Sequence, residues 1–145
     1  MDLDIDQLLA LWSEPHPDAT TAARAFARLY TDPVRVNGSP LTIPDLVARA
    51  EALHAALPDV RREVLDVCRT GDKVAVAFRL TGRQVGPLAT AAGTLPATGR
   101  ELGLRVIDLL TLTDGRISSV WMVADELGAL AAIDAVALAP TTRAG

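Results

Sequence analysis

The stretch that decides the fold runs from Glu101 to Asp125, ELGLRVIDLLTLTDGRISSVWMVAD. Leu102, Leu104, Val106, Leu110 and Leu112 recur at every second position, the period of a strand that buries one face. Asp114-Gly115 is a hairpin signal, since both residue types tolerate the positive φ of a tight two-residue turn. Counting back from that turn pairs Thr113 with Arg116, Leu112 with Ile117, Leu110 with Ser119, Asp108 with Trp121, Val106 with Val123 and Leu104 with Asp125. These residues then share one greasy face, interrupted by the carboxylates Asp108 and Asp125 and the Ser119 hydroxyl. The other face, with Arg105, Ile107, Thr111, Ser118, Val120 and Met122, is predicted to meet solvent or a partner subunit.

Working outward, Lys73 to Gly82 alternates in the same way, with Val74, Val76, Phe78 and Leu80 on its apolar side. Val60 to Arg69 is a strand joined to it by Thr70-Gly71-Asp72. Val85 to Gly99 is rich in Gly, Pro, Thr and Ala and reads as a loop. The N-terminal third is helical. Asp4 or Asp6 caps a helix through Leu8, Leu9 and Trp12 that Pro15 and Pro17 stop. Asp18 or Thr20 caps a second helix carrying Ala22, Phe26 and Leu29, and Asp32-Pro33 breaks it after Tyr30. Val34 to Asn37 is extended. Thr42 caps a third helix with Leu46, Ala50, Leu53 and Leu57 on its stripe, and Leu130 to Leu138 is expected to be a short closing helix. Helices first and strands last predict an α+β single domain over residues 1–139, a cone-shaped curved antiparallel sheet packed against the N-terminal helices. Residues 140–145 are expected to be a disordered tail.

Composition narrows the function classes. A chain of 145 residues with 50% hydrophobic and 22% charged residues can bury its own core. Two Trp, two Phe and one Tyr are too few for a nucleic-acid stacking platform, and a net charge of −4 argues against a phosphate-backbone binder. Cys68 is the only cysteine, so no internal disulfide can form, and it reads as a small buried residue. One Cys and two His almost exclude a structural zinc site. Three aspartates precede the first apolar stretch, where an export signal would need basic residues, and no run is long enough for a membrane span. A cytoplasmic protein is expected.

A lone Asp in an apolar strand face needs an explanation, because an unpaired buried charge is costly. Either Asp108 is tied to the Trp121 indole or an Arg, or it is a general acid/base whose pKa is lifted from about 3.9 toward the operating pH. Asp125, at the strand end beside Glu126, reads on spacing alone as a cap for the next turn. Asn37 reads as a turn residue before Gly38, His16 as part of an exposed loop and His54 as an edge residue of the third helix. No G-x-S-x-G elbow, Ser-His-Asp order or phosphate-binding glycine loop occurs.

Four segments in order, ARLYTDPVRVNGSP, ALPDVRREVLDV, GDKVAVAFRLTGRQVGPL and ATGRELGLRVIDLLTLTDGRISSVWMVADELGALAAI, resemble the SnoaL-like polyketide cyclases of the nuclear-transport-factor-two-like superfamily. The likeness spans Phe26 to Ile133. It implies a small enzyme, without cofactor or metal, that closes a ring in a hydrophobic polyketide by intramolecular aldol condensation. It further implies Asp125 as the acid/base, with Asp108 as its partner. Trp121 would be a pocket wall, and Asn37, Tyr30, Phe26 and Ser119 substrate contacts. Epoxide opening on the same fold and a non-catalytic binding module are the alternatives. The chain departs from the family's Glu-His-Trp triplet, with Ser119, Val120 and Trp121 in its place. A homodimer through the outer sheet face is expected from the family, with no nucleic-acid or membrane partner. With so few rings, the cone is expected to leave room for a large flat ligand.

Overall fold

The computed structural model describes residues 2–141. Three capped helices come first. The Asp4 carboxylate accepts the Gln7 N–H to start α1 (Ile5–Ser13), and Asp18 accepts the Thr21 N–H to start α2 (Ala19–Leu29). Thr42 and Asp45 form a reciprocal capping box at the head of α3 (Ile43–Ala56). Between α2 and α3 lie β1 (Tyr30–Val36) and β2 (Ser39–Leu41), turned by Asn37 and Gly38, both at positive φ. The remaining strands are β3 (Arg61–Thr70), β4 (Lys73–Arg83), β5 (Leu88–Thr90), β6 (Gly93–Leu95), β7 (Glu101–Thr113) and β8 (Arg116–Ala124), followed by α4 (Glu126–Ala132).

The main sheet has the order β2-β1-β8-β7-β4-β3. It is mixed rather than antiparallel throughout: β1 runs parallel to β8, because the α3 and β3–β7 segments intervene before the chain returns beside β1. Its helix-facing side carries Val74, Val76 and Phe78 of β4 and Val106 and Leu110 of β7, buried with Phe26, Leu46 and Ala50 from the helices, while Leu102 of β7 packs in a second cluster with Ala56, Leu57 and Ala129. The segment expected to be a plain loop contains the β5–β6 hairpin. Gln84, fully buried, clamps its base: its amide nitrogen donates to the carbonyls of Gly86, Leu95 and Pro96, and its oxygen accepts from the Thr98 N–H and Oγ1. Every polar atom of that buried side chain is thus satisfied.

The closing helix is α4, which starts earlier than expected, at Glu126, and ends at Ala132. Of the expected tail, Pro140 and Thr141 lie in no helix or strand, and residues 142–145 fall outside the described residues. No helix among the described residues is long and apolar enough to cross a membrane. Cys68 is exposed on the outer side of edge strand β3, not buried, because no element covers that face.

Candidate functional site

The β7–β8 hairpin begins as the turn dictates, with Thr113 opposite Arg116 and Leu112 opposite Ile117. The register then shifts by one: Thr111 faces Ser119, Leu110 faces Val120, Leu109 faces Trp121 and Asp108 faces Met122. Ser118 is the extra residue. Its hydroxyl is held between Thr113 Oγ1 at 2.8 Å and the Thr111 carbonyl at 3.3 Å. A one-residue bulge reverses every side chain beyond it, because strand side chains alternate.

The consequences for the expected site are direct. Val120, Met122 and Ala124 point to the helices, while Ser119, Trp121 and Val123 point outward. Trp121 is 55% exposed and Val123 74%. Trp121 is therefore no wall of the inner face. Its ring leans over the Asn37-Gly38 turn, 3.7 Å from where a Gly38 Cβ would sit. Ser119 leaves the inner face for the same reason. Asn37 is exposed, and its carboxamide oxygen accepts the Met122 N–H at 2.8 Å. That bond extends the β1–β8 pairing past the last strand residue and ties the turn to β8, beside the row that holds Asp108.

Asp125 and Asp108 do not share a face. Asp125 caps α4 by accepting the Gly128 N–H at 2.9 Å, and it pairs with Arg105, an outward residue of β7, at 2.8 Å. The Arg105 hydrogen bond and the Gly128 N–H hold its carboxyl below the usual carboxylate range. Glu126 reaches across to the Ala91 N–H at 2.8 Å, binding the β5–β6 hairpin to α4.

Asp108 sits in the opposite situation. It faces inward between Val106 and Leu110, with Val76 opposite on β4 and Met122 opposite on β8. Neither Trp121 nor an Arg reaches it. Its Oδ1 is buried and has no hydrogen-bond partner among the described residues. Burial alone pushes its pKa up to about 6. Met122 beside it is 39% exposed, so the row opens toward solvent on the β8 side. Met122 went unrecognised in the sequence because the straight register sends it outward.

Tyr30 and Phe26 lie in the layer between helices and sheet, both buried, with stacked rings 5.9 Å apart. Trp12 completes the cluster edge-on to both. The third ring of the layer is thus Trp12 rather than Trp121, and these rings occupy space expected to be open. Burial, with the Asp108 charge adding to it, raises the Tyr30 pKa above that of an ordinary phenol. Two clefts are found elsewhere. One of about 320 Å³ lies between the α1–α2 connection and α3, lined by His16, Asp18, Glu51 and His54 among others, and one of about 700 Å³ follows the α2–α3 groove. Neither includes Asp108. His16 is half-buried rather than exposed, its Nε2 meeting the Leu11 carbonyl at 2.9 Å. Among the described residues no three His, Cys, Asp or Glu side chains converge as metal ligands would.

The fold recurs in solved structures. TsrD from Streptomyces laurentii superposes with a TM-score of 0.77 at 23% identity, over 93% of this chain and 100% of that one. A SnoaL-like polyketide cyclase from Agrobacterium tumefaciens strain C58 gives a TM-score of 0.71 at 20% identity, over 92% of this chain and 98% of that one. Among curated proteins none matches the sequence. The sequence itself matches the family described as SnoaL-like polyketide cyclase over residues 5–133, nearly its whole length, and the chain belongs to that family.

Proposed function

We propose that this chain is a cofactor-free tailoring enzyme of polyketide biosynthesis that closes a ring in a hydrophobic polycyclic substrate by acid/base chemistry, with Asp108 as the acid/base. The observation that carries the reading is the unpartnered, buried Oδ1 of Asp108, on a carboxyl whose pKa is pushed up to about 6. A carboxyl poised there can take a proton from carbon to form an enolate and return it to the aldol oxygen, since a pKa near the operating pH serves both directions. An apolar surround of Val76, Val106, Leu110 and Met122 suits a hydrophobic substrate. Membership of the SnoaL-like family supports a polyketide-type substrate.

Asp125 is engaged by Arg105 and α4, so the expected two-carboxylate pair reduces in this reading to Asp108 alone. The free Oδ1 speaks against a binding module in which Asp108 is merely a structural hydrogen-bonding group. Arg105 and Asp108 on opposite faces give epoxide opening no paired acid and base. The test is turnover of a polycyclic polyketide ester by Asp108→Asn against the parent protein. A loss of about 10²-fold or more with the fold intact supports the assignment; unchanged turnover refutes it.

We further propose that the outer face seats a second copy. Ile107, Leu109, Trp121 and Val123 are all exposed there, and Ile107 pairs with Val123 as Leu109 pairs with Trp121, giving two apolar rows. Glu63 and Asp66 on β3 and Arg79 on β4 supply both charge signs on one patch, as an isologous contact requires. Val123→Arg should convert a dimer into a monomer in sedimentation velocity, and a parent protein that already sediments as a monomer would overturn this reading.

A further inference from the structure

A second buried polar atom, which the Asp108 site does not use, lies on α3. His54 Nε2 is buried and has no hydrogen-bond partner among the described residues. Its ring lies one turn beyond Ala50 and Glu51 and two turns beyond Val47, so these four side chains share one side of the helix. That side is one wall of the cleft of about 320 Å³, and His16 and Asp18 of the α1–α2 connection belong to the other. Ala22, Val47 and Ala50 are buried and give the cleft an apolar floor. Pockets for small molecules run to about 300–1,000 Å³, so this one fits a compact ligand. The His16 wall is held from two sides. Its Nε2 meets the Leu11 carbonyl at 2.9 Å, and a carbonyl only accepts, so that nitrogen carries the hydrogen. The ring also rests against Phe26, 6.1 Å between centroids, in the cluster that Trp12 ties together by donating its indole N–H to the Tyr30 hydroxyl at 2.8 Å.

The charge of the cleft is negative. Asp18 and Glu51 line it, and no Lys or Arg does. Asp18 accepts the Thr21 N–H at 2.7 Å, and that bond holds its carboxyl below the usual carboxylate range. It is therefore ionised at neutral pH. Glu51 has no ion-pair partner among the described residues, although Arg24 lines the adjoining α2–α3 groove. An anion would meet two like charges here. A metal ion would need several donors at one point, and among the described residues no three converge. An alkylammonium fits the arrangement, with N–H donors for acceptors on one wall and a carbon body for the apolar floor. We propose that this cleft is a binding site for a small primary amine in its cationic form, with His54 Nε2 accepting an ammonium N–H, Glu51 and Asp18 supplying the opposite charge, and Ala22, Val47 and Ala50 seating the apolar body. The cleft does not include Asp108, so the proposal stands apart from the acid/base reading.

The experiment uses cyclohexylamine, whose amine at neutral pH is a cation like that of lysine, with cyclohexanol and cyclohexanecarboxylate as its neutral and anionic counterparts. The chain has two histidines, so long-range ¹⁵N–¹H NMR at a fixed buffered pH follows each imidazole nitrogen separately. The His54 Nε2 resonance should move saturably with the amine, with a Kd on the order of 1 mM. The alcohol and the carboxylate should bind at least about tenfold more weakly. Glu51 is exposed, so Glu51→Gln leaves the core intact; it should weaken the amine at least about threefold. His54→Phe keeps a ring and removes both nitrogens, and should weaken it at least about tenfold. The amine should also raise the melting temperature of the parent protein and not that of His54→Phe, because a ligand of the folded state alone stabilises it. A His54 resonance that does not move, a carboxylate that binds as well as the amine, or an affinity unchanged in Glu51→Gln overturns the proposal.

Discussion

Two aspartates on neighbouring strands, Asp108 in the middle of β7 and Asp125 just past the end of β8, show how position rather than residue type sets chemistry. Asp125 is met by an Arg105 guanidinium and a helix N-terminal N–H, and its charge is stabilised. Asp108 meets aliphatic neighbours, has an unpartnered oxygen, and its charge is penalised. One carboxylate builds the fold and the other is held at a cost to it. The bulge at Ser118 separates the two by face: it leaves Asp108 inward on β7, puts Asp125 opposite Arg105 on the outer side, and turns Trp121 and Val123 outward.

The largest expected effect is therefore on that residue. Deleting Ser118 should restore the straight register and drive Val120 and Ala124 out of the core while forcing Trp121 and Val123 in. Loss of the cooperative thermal transition by calorimetry is expected, since a slip of one residue exchanges the two faces. A deletion variant that folds with native stability would show that the bulge does not set the faces.

Next in size is the contrast in turnover. Asp108→Asn should cost about 10²–10⁴-fold, whereas Asp125→Asn should leave most of the activity. Equal losses, or a larger one at Asp125, would reverse the roles given to the two carboxylates.

The two groups should also bend the pH–stability curve in opposite senses. The folded pKa of Asp108 lies above its unfolded value, so the folded state holds the extra proton. Its contribution is most favourable below about pH 4 and is lost as pH rises through about 6. The loss is on the order of 2–3 kcal/mol, and it should vanish in Asp108→Asn, as urea titrations at a series of pH values would reveal. Asp125 has a lowered folded pKa, so its contribution is present above the unfolded value and is lost as pH falls through the folded one. Finally, and smallest, Asp125→Ala should lower the melting temperature by a few degrees at neutral pH through the lost cap of α4. An unchanged transition would mean that the cap and the Arg105 pair add nothing measurable.

Much of this was legible in the chain itself. Asp4, Asp18 and Thr42 announce their helices because a capping side chain must lie within three residues of the N–H groups it satisfies. The Val74-Val76-Phe78 alternation places β4 with its apolar side inward, and Asp114-Gly115 marks the hairpin turn. Asp108 stood out because a carboxylate within an apolar period is conspicuous in one dimension. These features share a physical basis: each is a local interaction, read over a handful of residues.

What tertiary packing alone decided is which side of β8 faces the helices. Ser118-Ser119 carries no marker for a bulge, and both registers set apolar residues on both faces, Val120 and Met122 on one and Trp121 and Val123 on the other. The choice falls to whichever set fits beneath α1 and α2, and small aliphatic Val120 and Ala124 pack there with Trp12, Phe26 and Tyr30. The parallel β1–β8 pairing, the partner of Asp125 and the Trp12–Tyr30 bond have the same origin. They join residues 18 or more positions apart, whose meeting is set by the competition for the core and not by the residues that flank them.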